Sequence, residues 1–258
     1  MPALLELPSP RECAQLCARL GLSFVELNMN LPQNQPESLH AEELLSLSRE
    51  YGIYFTLHLD ENLDVCDFNS RVSAAYFDTV LGAVRLARRA RIPVLNMHMA
   101  QGVHFTLPDR KVYLYEAYPD EYFSKLRLFR DICGKAVGSD DIRICLENTG
   151  GYRPFQKEGI RTLLESEAFA LTWDIGHDHG AGGIDAGFLF SNIGRLRHMH
   201  VHDARGQKDH LPLGAGDINL REKLKTAEQN GCRCVLEVKT AAALKQSVDY
   251  LKRSRLWN

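Results

Sequence analysis

The chain has no apolar run approaching the ~20 residues needed to cross a bilayer. Its first residues, MPALLELPSPREC, carry an acid and prolines where a signal peptide has a basic start and an apolar core. Net charge is nearly absent: 31 Lys and Arg against 33 Asp and Glu leave −2 at pH 7. Broad capture of nucleic acid needs a basic excess, so neither a membrane nor a nucleic-acid partner is expected. A Cys-x2-Cys pair is also missing. The seven cysteines are an odd number; Cys13 and Cys17 fall at helical spacing, and Cys145, Cys232 and Cys234 lie in strand-like runs. Reduced, buried thiols in a cytoplasmic protein are the simplest expectation. No linker, low-complexity tract or repeat divides the chain, so one domain over residues 1–258 is expected.

What is present is an alternation of strand-like and helix-like stretches. Strands are expected near Ala3–Leu7, in LSFVELNMN, and near Ile53–His58, Ile92–His98, Ile142–Glu147, Phe169–Asp174, Arg197–His202 and Cys232–Val238. Helices are expected from Pro10 to Leu20 and near Glu37–Tyr51, Arg71–Arg91, Asp120–Val137, Glu158–Ser166, Ile184–Ile193, Asn219–Asn230 and Ala241–Arg253. Alternation of this kind implies a parallel sheet, and eight such pairs in 258 residues match the length of a single (β/α)8 TIM barrel.

Six successive apolar runs end in a polar side chain able to bind metal: His58, His98, Glu147, Asp174, His200 and Glu237. The carboxyl ends of parallel barrel strands share one face, so these side chains should converge at the barrel mouth. Strand parity agrees. In Ile142–Glu147, Arg143, Cys145 and Glu147 oppose Ile144 and Leu146; in Phe169–Asp174, Ala170, Thr172 and Asp174 oppose Phe169, Leu171 and Trp173; in the last strand, Val235 and Glu237 oppose Cys234 and Leu236. The bulky set should pack under helices and the other should line the barrel. Glu147, Asp174, His200 and Glu237 then offer three carboxylates and an imidazole, a donor set suited to one Mn²⁺, Zn²⁺, Co²⁺ or Mg²⁺. Without a cation, three crowded carboxylates repel one another.

ICLENTGG, LTWDIGHDHGAG, HMHVHDARG, DHLPLGAGDIN and VLEVK resemble, in order, the motifs of the xylose isomerase-like barrels. That superfamily includes sugar-phosphate isomerase and epimerase types, ketose 3-epimerases, inosose dehydratases and the endonuclease IV group. The resemblance implies that Glu147, Asp174, His200 and Glu237 bind one divalent ion, that Glu147 and Glu237 are also the acid/base pair, and that His177 touches a substrate oxygen. The implied reaction is isomerisation or epimerisation of a small sugar-like hydroxycarbonyl through a metal-stabilised enediolate. A dehydratase on the same site, a non-catalytic sensor barrel, and a multi-zinc phosphodiesterase are the rivals. The last would use His58, His98, His177 and His210 as ligands of a second or third zinc. Against it, Lys208 stands where the nuclease group has an Asp, and Asp60, Glu61, Asp64 and Asp67 make an acidic rim. His58, His98 and His210 are therefore assigned to substrate contact or hydrogen bonding. Arg205 is a candidate for a substrate phosphate or carboxylate, Gly214 and Gly216 suggest a tight loop, and Glu26 and Asn28 share the inward parity of their strand. The aromatic segment Ala100–Pro119, with Phe105, Tyr113, Tyr115 and Tyr118, reads as a lid or specificity wall, or else as an oligomer contact or local packing. Family barrels often form homo-oligomers.

Overall fold

A computed structural model describes residues 1–256. Seven parallel strands form a nearly closed barrel: β1 (Phe24–Asn28), β2 (Tyr54–His58), β3 (Val94–His98), β6 (Arg143–Glu147), β7 (Phe169–Asp174), β8 (Leu196–Val201) and β11 (Arg233–Leu236), paired in that order. Two hairpins stand beyond strand ends, β4 (His104–Thr106) with β5 (Lys111–Tyr113), and β9 (Asp203–Arg205) with β10 (Lys208–Leu211). The helices are α1 (Pro10–Leu20), α2 (Ala41–Tyr51), α3 (Ser70–Ala90), α4 (Leu114–Ala117), α5 (Pro119–Val137), α6 (Pro154–Leu164), α7 (Ile175–Gly180), α8 (Ala186–Ser191), α9 (Leu220–Gln229) and α10 (Ala241–Arg253). Their ends follow local chemistry. Ser9 caps α1 by accepting from the Glu12 amide, Pro10 opens its first turn, and Gly21 closes it in the left-handed region (φ 75°).

The expected first strand, Ala3–Leu7, is not one. Ala3 N donates to Glu26 O and Glu26 N donates to Met1 O, and pairing stops there. The chain then turns: Leu7 N donates to Leu4 O, Leu5 is 83% exposed, and the Glu6 carboxylate accepts from Ala241 N at the start of α10. A residue read as part of a strand thus caps a helix instead. The helix expected at Ile184–Ile193 is α8, two residues shorter at each end, with Asn192 outside helical geometry just after it.

The two strand faces sort as parity requires. Ile144, Leu146, Phe169, Leu171 and Trp173 belong to the large core between sheet and helices, whereas Val94, Cys145 and Ala170 form a separate apolar cluster. Above that cluster, the next inward positions are polar.

Candidate metal centre

The strand-end side chains meet. Donor atoms of Glu147, Asp174, His200 and Glu237 all lie within 4.8 Å of one another. His200 is at the centre: its Nδ1 lies 3.1 Å from Glu147 Oε1, 3.0 Å from Glu237 Oε2 and 3.8 Å from Asp174 Oδ2. Its Nε2 is held on the other side by Glu26 Oε1 at 2.7 Å. A metal-binding histidine needs just this arrangement, with one nitrogen tied to an acceptor and the other facing the ion. Glu237 sits one residue past β11, where its amide still bonds Val201 O, and Lys239 Nζ lies 3.0 Å from its Oε1. Asp174 ends β7 and caps α7 by accepting from the His177 amide at 2.7 Å. The helix was not expected from the sequence; a strand-end ligand doubles as its cap.

The remaining histidines surround these four. His58 Nε2 and His98 Nε2 both approach Glu147 Oε2, at 3.3 and 3.4 Å. His177 Nδ1 lies 3.2 Å from Asp174 Oδ2 and 3.7 Å from Glu147 Oε1. His202 Nε2 is 3.0 Å from Asp174 Oδ1, and its Nδ1 accepts from the His210 amide at 2.8 Å. The His210 ring stacks on His202 at 4.2 Å, with its Nδ1 toward Glu237 O at 3.1 Å. His177, His202 and His210 form a second group whose donor atoms could share an ion. Arg205 is 66% exposed and engages Asp217 and Ala215 O at the rim. The Gly214 amide is spent on Asp203 Oδ2, and a Cβ on Gly216 would come 2.2 Å from Ala204 O, so that loop closes on its own backbone.

Charge explains the packing. Burial alone would raise the Glu147 and Glu237 pKa values, but His200 outweighs it and, with the other histidines on Glu147, holds both carboxyls well below their usual range. Burial would depress His58, yet Glu147 lifts it to about 9. In the metal-free protein the His200 and His58 imidazoles, both buried yet shifted up by the carboxylates, supply positive charge that a cation would otherwise provide. The donor set fits such a cation: Glu237 Oε2 and His177 Nδ1 are buried without a properly directed hydrogen-bond partner, and both face the cluster.

Three features escaped the sequence reading or differ from it. His198 and His202 share the parity of His200 and could have been assigned inward on that ground. Asn96 and Thr172, both buried in the barrel, carry no sequence signal beyond parity. Tyr113 and Tyr115 are 4% and 3% exposed, so they are packing residues rather than a substrate wall. Arg153 stacks on the Tyr113 ring and bonds its hydroxyl, while Tyr115 Oη donates to Asp64 Oδ1 at 2.6 Å. Phe105 and Tyr118, at 58% and 53% exposed, are the outward aromatics of the segment.

Comparison with known proteins agrees with the fold. A family model described as xylose isomerase-like TIM barrel matches residues 14–254. A D-tagatose 3-epimerase-like protein superposes with TM-score 0.72 at 21% identity, covering 90% of this chain and 88% of that one. A 3-keto-D-glucoside 4-epimerase from E. coli gives TM-score 0.75 at 14% identity, covering 98% of each chain. The IolI protein, solved with a bound zinc atom, gives 0.70 at 13% identity, covering 98% of this chain and 92% of that one. No curated protein matches the sequence. Among the described residues, no helix is long and apolar enough to cross a membrane.

Proposed function

The chain belongs to the xylose isomerase-like TIM-barrel family, and from that premise we propose that it is a divalent-metal-dependent isomerase or epimerase of a small sugar or sugar-like hydroxycarbonyl compound. The observation that carries this is the convergence of Glu147, Asp174, Glu237 and His200 Nδ1 with Glu237 Oε2 left unsatisfied. These four residues would hold one Mn²⁺, Zn²⁺, Co²⁺ or Mg²⁺. When bound, the ion supplies Lewis acidity toward a substrate carbonyl and its neighbouring hydroxyl.

The protein's own groups do the proton chemistry. Glu147 and Glu237 each lie about 3 Å from His200 Nδ1, so they approach the site from strands on either side of β8. One carboxylate takes the proton beside the carbonyl, and the other returns one to the opposite face. The two are not equivalent. Glu147 is buried and accepts from Asn96 while His58 and His98 crowd the same oxygen. Glu237 is the more exposed of the pair and carries only Lys239 on its outer oxygen. His177, at the rim of the cluster, is placed to hold a substrate oxygen and keep it oriented. The similar proteins named as epimerases support this chemistry, as does the zinc in the IolI structure.

A multi-zinc phosphodiesterase is the second reading, favoured by one observation. His58 and His98 share Glu147 Oε2, and His177, His202 and His210 make a further group, so donors exist for extra ions. The test is incubation of Mn²⁺-loaded protein with pentuloses and hexuloses in D2O. Deuterium uptake at the carbon beside the carbonyl, with appearance of the epimer or aldose, is expected. Water loss alone would indicate a dehydratase. Phosphodiester cleavage without exchange on any ketose would overturn the proposal.

A further inference from the structure

A TIM barrel normally fills its interior with branched apolar side chains. Just below the metal centre, this one holds Glu26, Asn96, Thr172 and His198, each 3% exposed or less. Polar groups at that depth are costly unless every one is satisfied. Here they form a ring of contacts with two of the metal-site residues, hydrogen-bonded at every link except that between Glu26 and His198, where His198 Nε2 has no directed partner. His200 Nε2 lies 2.7 Å from Glu26 Oε1. Glu26 Oε2 accepts from Thr56 Oγ1 at 3.1 Å and faces His198 Nε2 at 3.2 Å. His198 Nδ1 lies 3.3 Å from Thr172 Oγ1, which donates to Asn96 Oδ1. Asn96 Nδ2 donates to Glu147 Oε2, and Glu147 Oε1 returns to His200 Nδ1 at 3.1 Å.

Direction around the ring follows from valence. An ionised Glu147 can only accept, so the Asn96 amide nitrogen must face it and the Asn96 carbonyl must face Thr172. Thr172 has one hydroxyl proton, spent on Asn96, and must therefore accept from His198 Nδ1–H. On the other arm Glu26 is the acceptor that keeps a proton on His200 Nε2, leaving Nδ1 free to face the ion. One arm aims the histidine ligand and the other fixes the carboxylate beside it.

We infer that Glu26 and His198 are positioning residues: from beneath the site, they preset the ligand geometry of His200 and Glu147 through this ring. The inference rests on the metal-site reading above. Glu26 was legible from strand parity as an inward residue; the ring turns it away from substrate and toward His200.

The test is calorimetric titration of Zn²⁺ and Mn²⁺ into chelator-stripped whole protein, unaltered and substituted, with thermal unfolding of each metal-free form. Glu26→Leu is expected to weaken binding roughly 10–100-fold. Glu26→Gln should recover much of that loss: its carbonyl can accept from His200 Nε2 while its amide donates to His198 Nε2. Thr172→Val, which cuts the other arm without changing shape, should weaken binding several-fold. A folded Glu26→Leu protein with unaltered affinity overturns the inference. If Glu26→Leu does not fold, Glu26→Gln and Thr172→Val decide it, and unaltered affinity in both overturns it. An unaltered protein that binds neither ion overturns the metal reading itself, and is recognised before any variant is compared.

Discussion

Gly176 offers a sharp test of how the site is packed. It lies in the first turn of α7, and a Cβ built there would fall 1.9 Å from His202 Cε1 and 2.3 Å from its Nδ1. His202 has nowhere to retreat: it is fully buried, stacked on His210 and held against both oxygens of Asp174. Gly176→Ala must therefore drive the imidazole off Asp174. Overpacking of this kind costs about 1–3 kcal/mol, and a lost hydrogen bond to a charged group about 1.5–3 kcal/mol. For a chain of this size 1 kcal/mol moves the unfolding midpoint by roughly 2–4 °C, so a fall of at least about 5 °C is expected. Gly187→Ala is the control. Gly187 is also helical, has an ordinary φ, and would meet nothing within 4 Å, so the same change should be neutral or stabilising by up to about 1 kcal/mol. Differential scanning calorimetry of the two metal-free variants decides it. Equal midpoints would refute the claim that His202 is wedged between Gly176 and Asp174.

Other consequences are as direct. Glu147→Gln and Glu237→Gln should each abolish turnover in a deuterium-exchange assay, and an active Glu237→Gln protein would end the two-base scheme. The metal-free protein should lose stability as pH rises from about 6.5, the ordinary histidine value, toward about 9. Burial lowers the His58 pKa but Glu147 raises it to about 9, so its contribution is complete below the unfolded value and disappears as the folded imidazolium deprotonates. His58→Asn should flatten that part of a midpoint-against-pH curve; an unchanged slope would count against the His58–Glu147 pairing. Tyr115→Phe removes the donor to half-buried Asp64 and should cost about 1–3 kcal/mol in urea unfolding; a loss below about 0.5 kcal/mol would contradict that packing.

Much of this site was legible because a barrel strand has only two faces and one useful end. Glu147, Asp174 and Glu237 could be placed from period-two alternation, and His200 with them from apolar runs that stop in a ligand. Even the register irregularity between Leu171 and Thr172 did not matter, because Thr172 and Asp174 stay on the same face beyond it. Failures came where local chemistry overrode the pattern. The first segment turns on itself, Leu7 N donating to Leu4 O, and Glu6 found a helix start instead. Asp174 opened a helix in a stretch whose two glycines, Gly176 and Gly180, argue for a loop. The aromatic segment Ala100–Pro119 suggested a lid because it is long for a βα turn and rich in aromatics, but local packing was the alternative that holds for two of its tyrosines, which Arg153, Asp64 and Tyr122 draw inward. The roles of Asn96 and Thr172 were not legible for a different reason. Each is ordinary in a strand, and only the ring through His198 and Glu26 gives them work.

Metal content per chain is the most direct measurement: elemental analysis of the whole protein loaded with Mn²⁺ or Zn²⁺ and then desalted. Four convergent donors from Glu147, Asp174, His200 and Glu237 predict one retained ion, lost in His200→Ala and kept in His98→Ala. Two or three retained zinc ions, some lost in His58→Ala or His98→Ala, would contradict the mononuclear centre, and no retained ion would contradict a metal centre altogether.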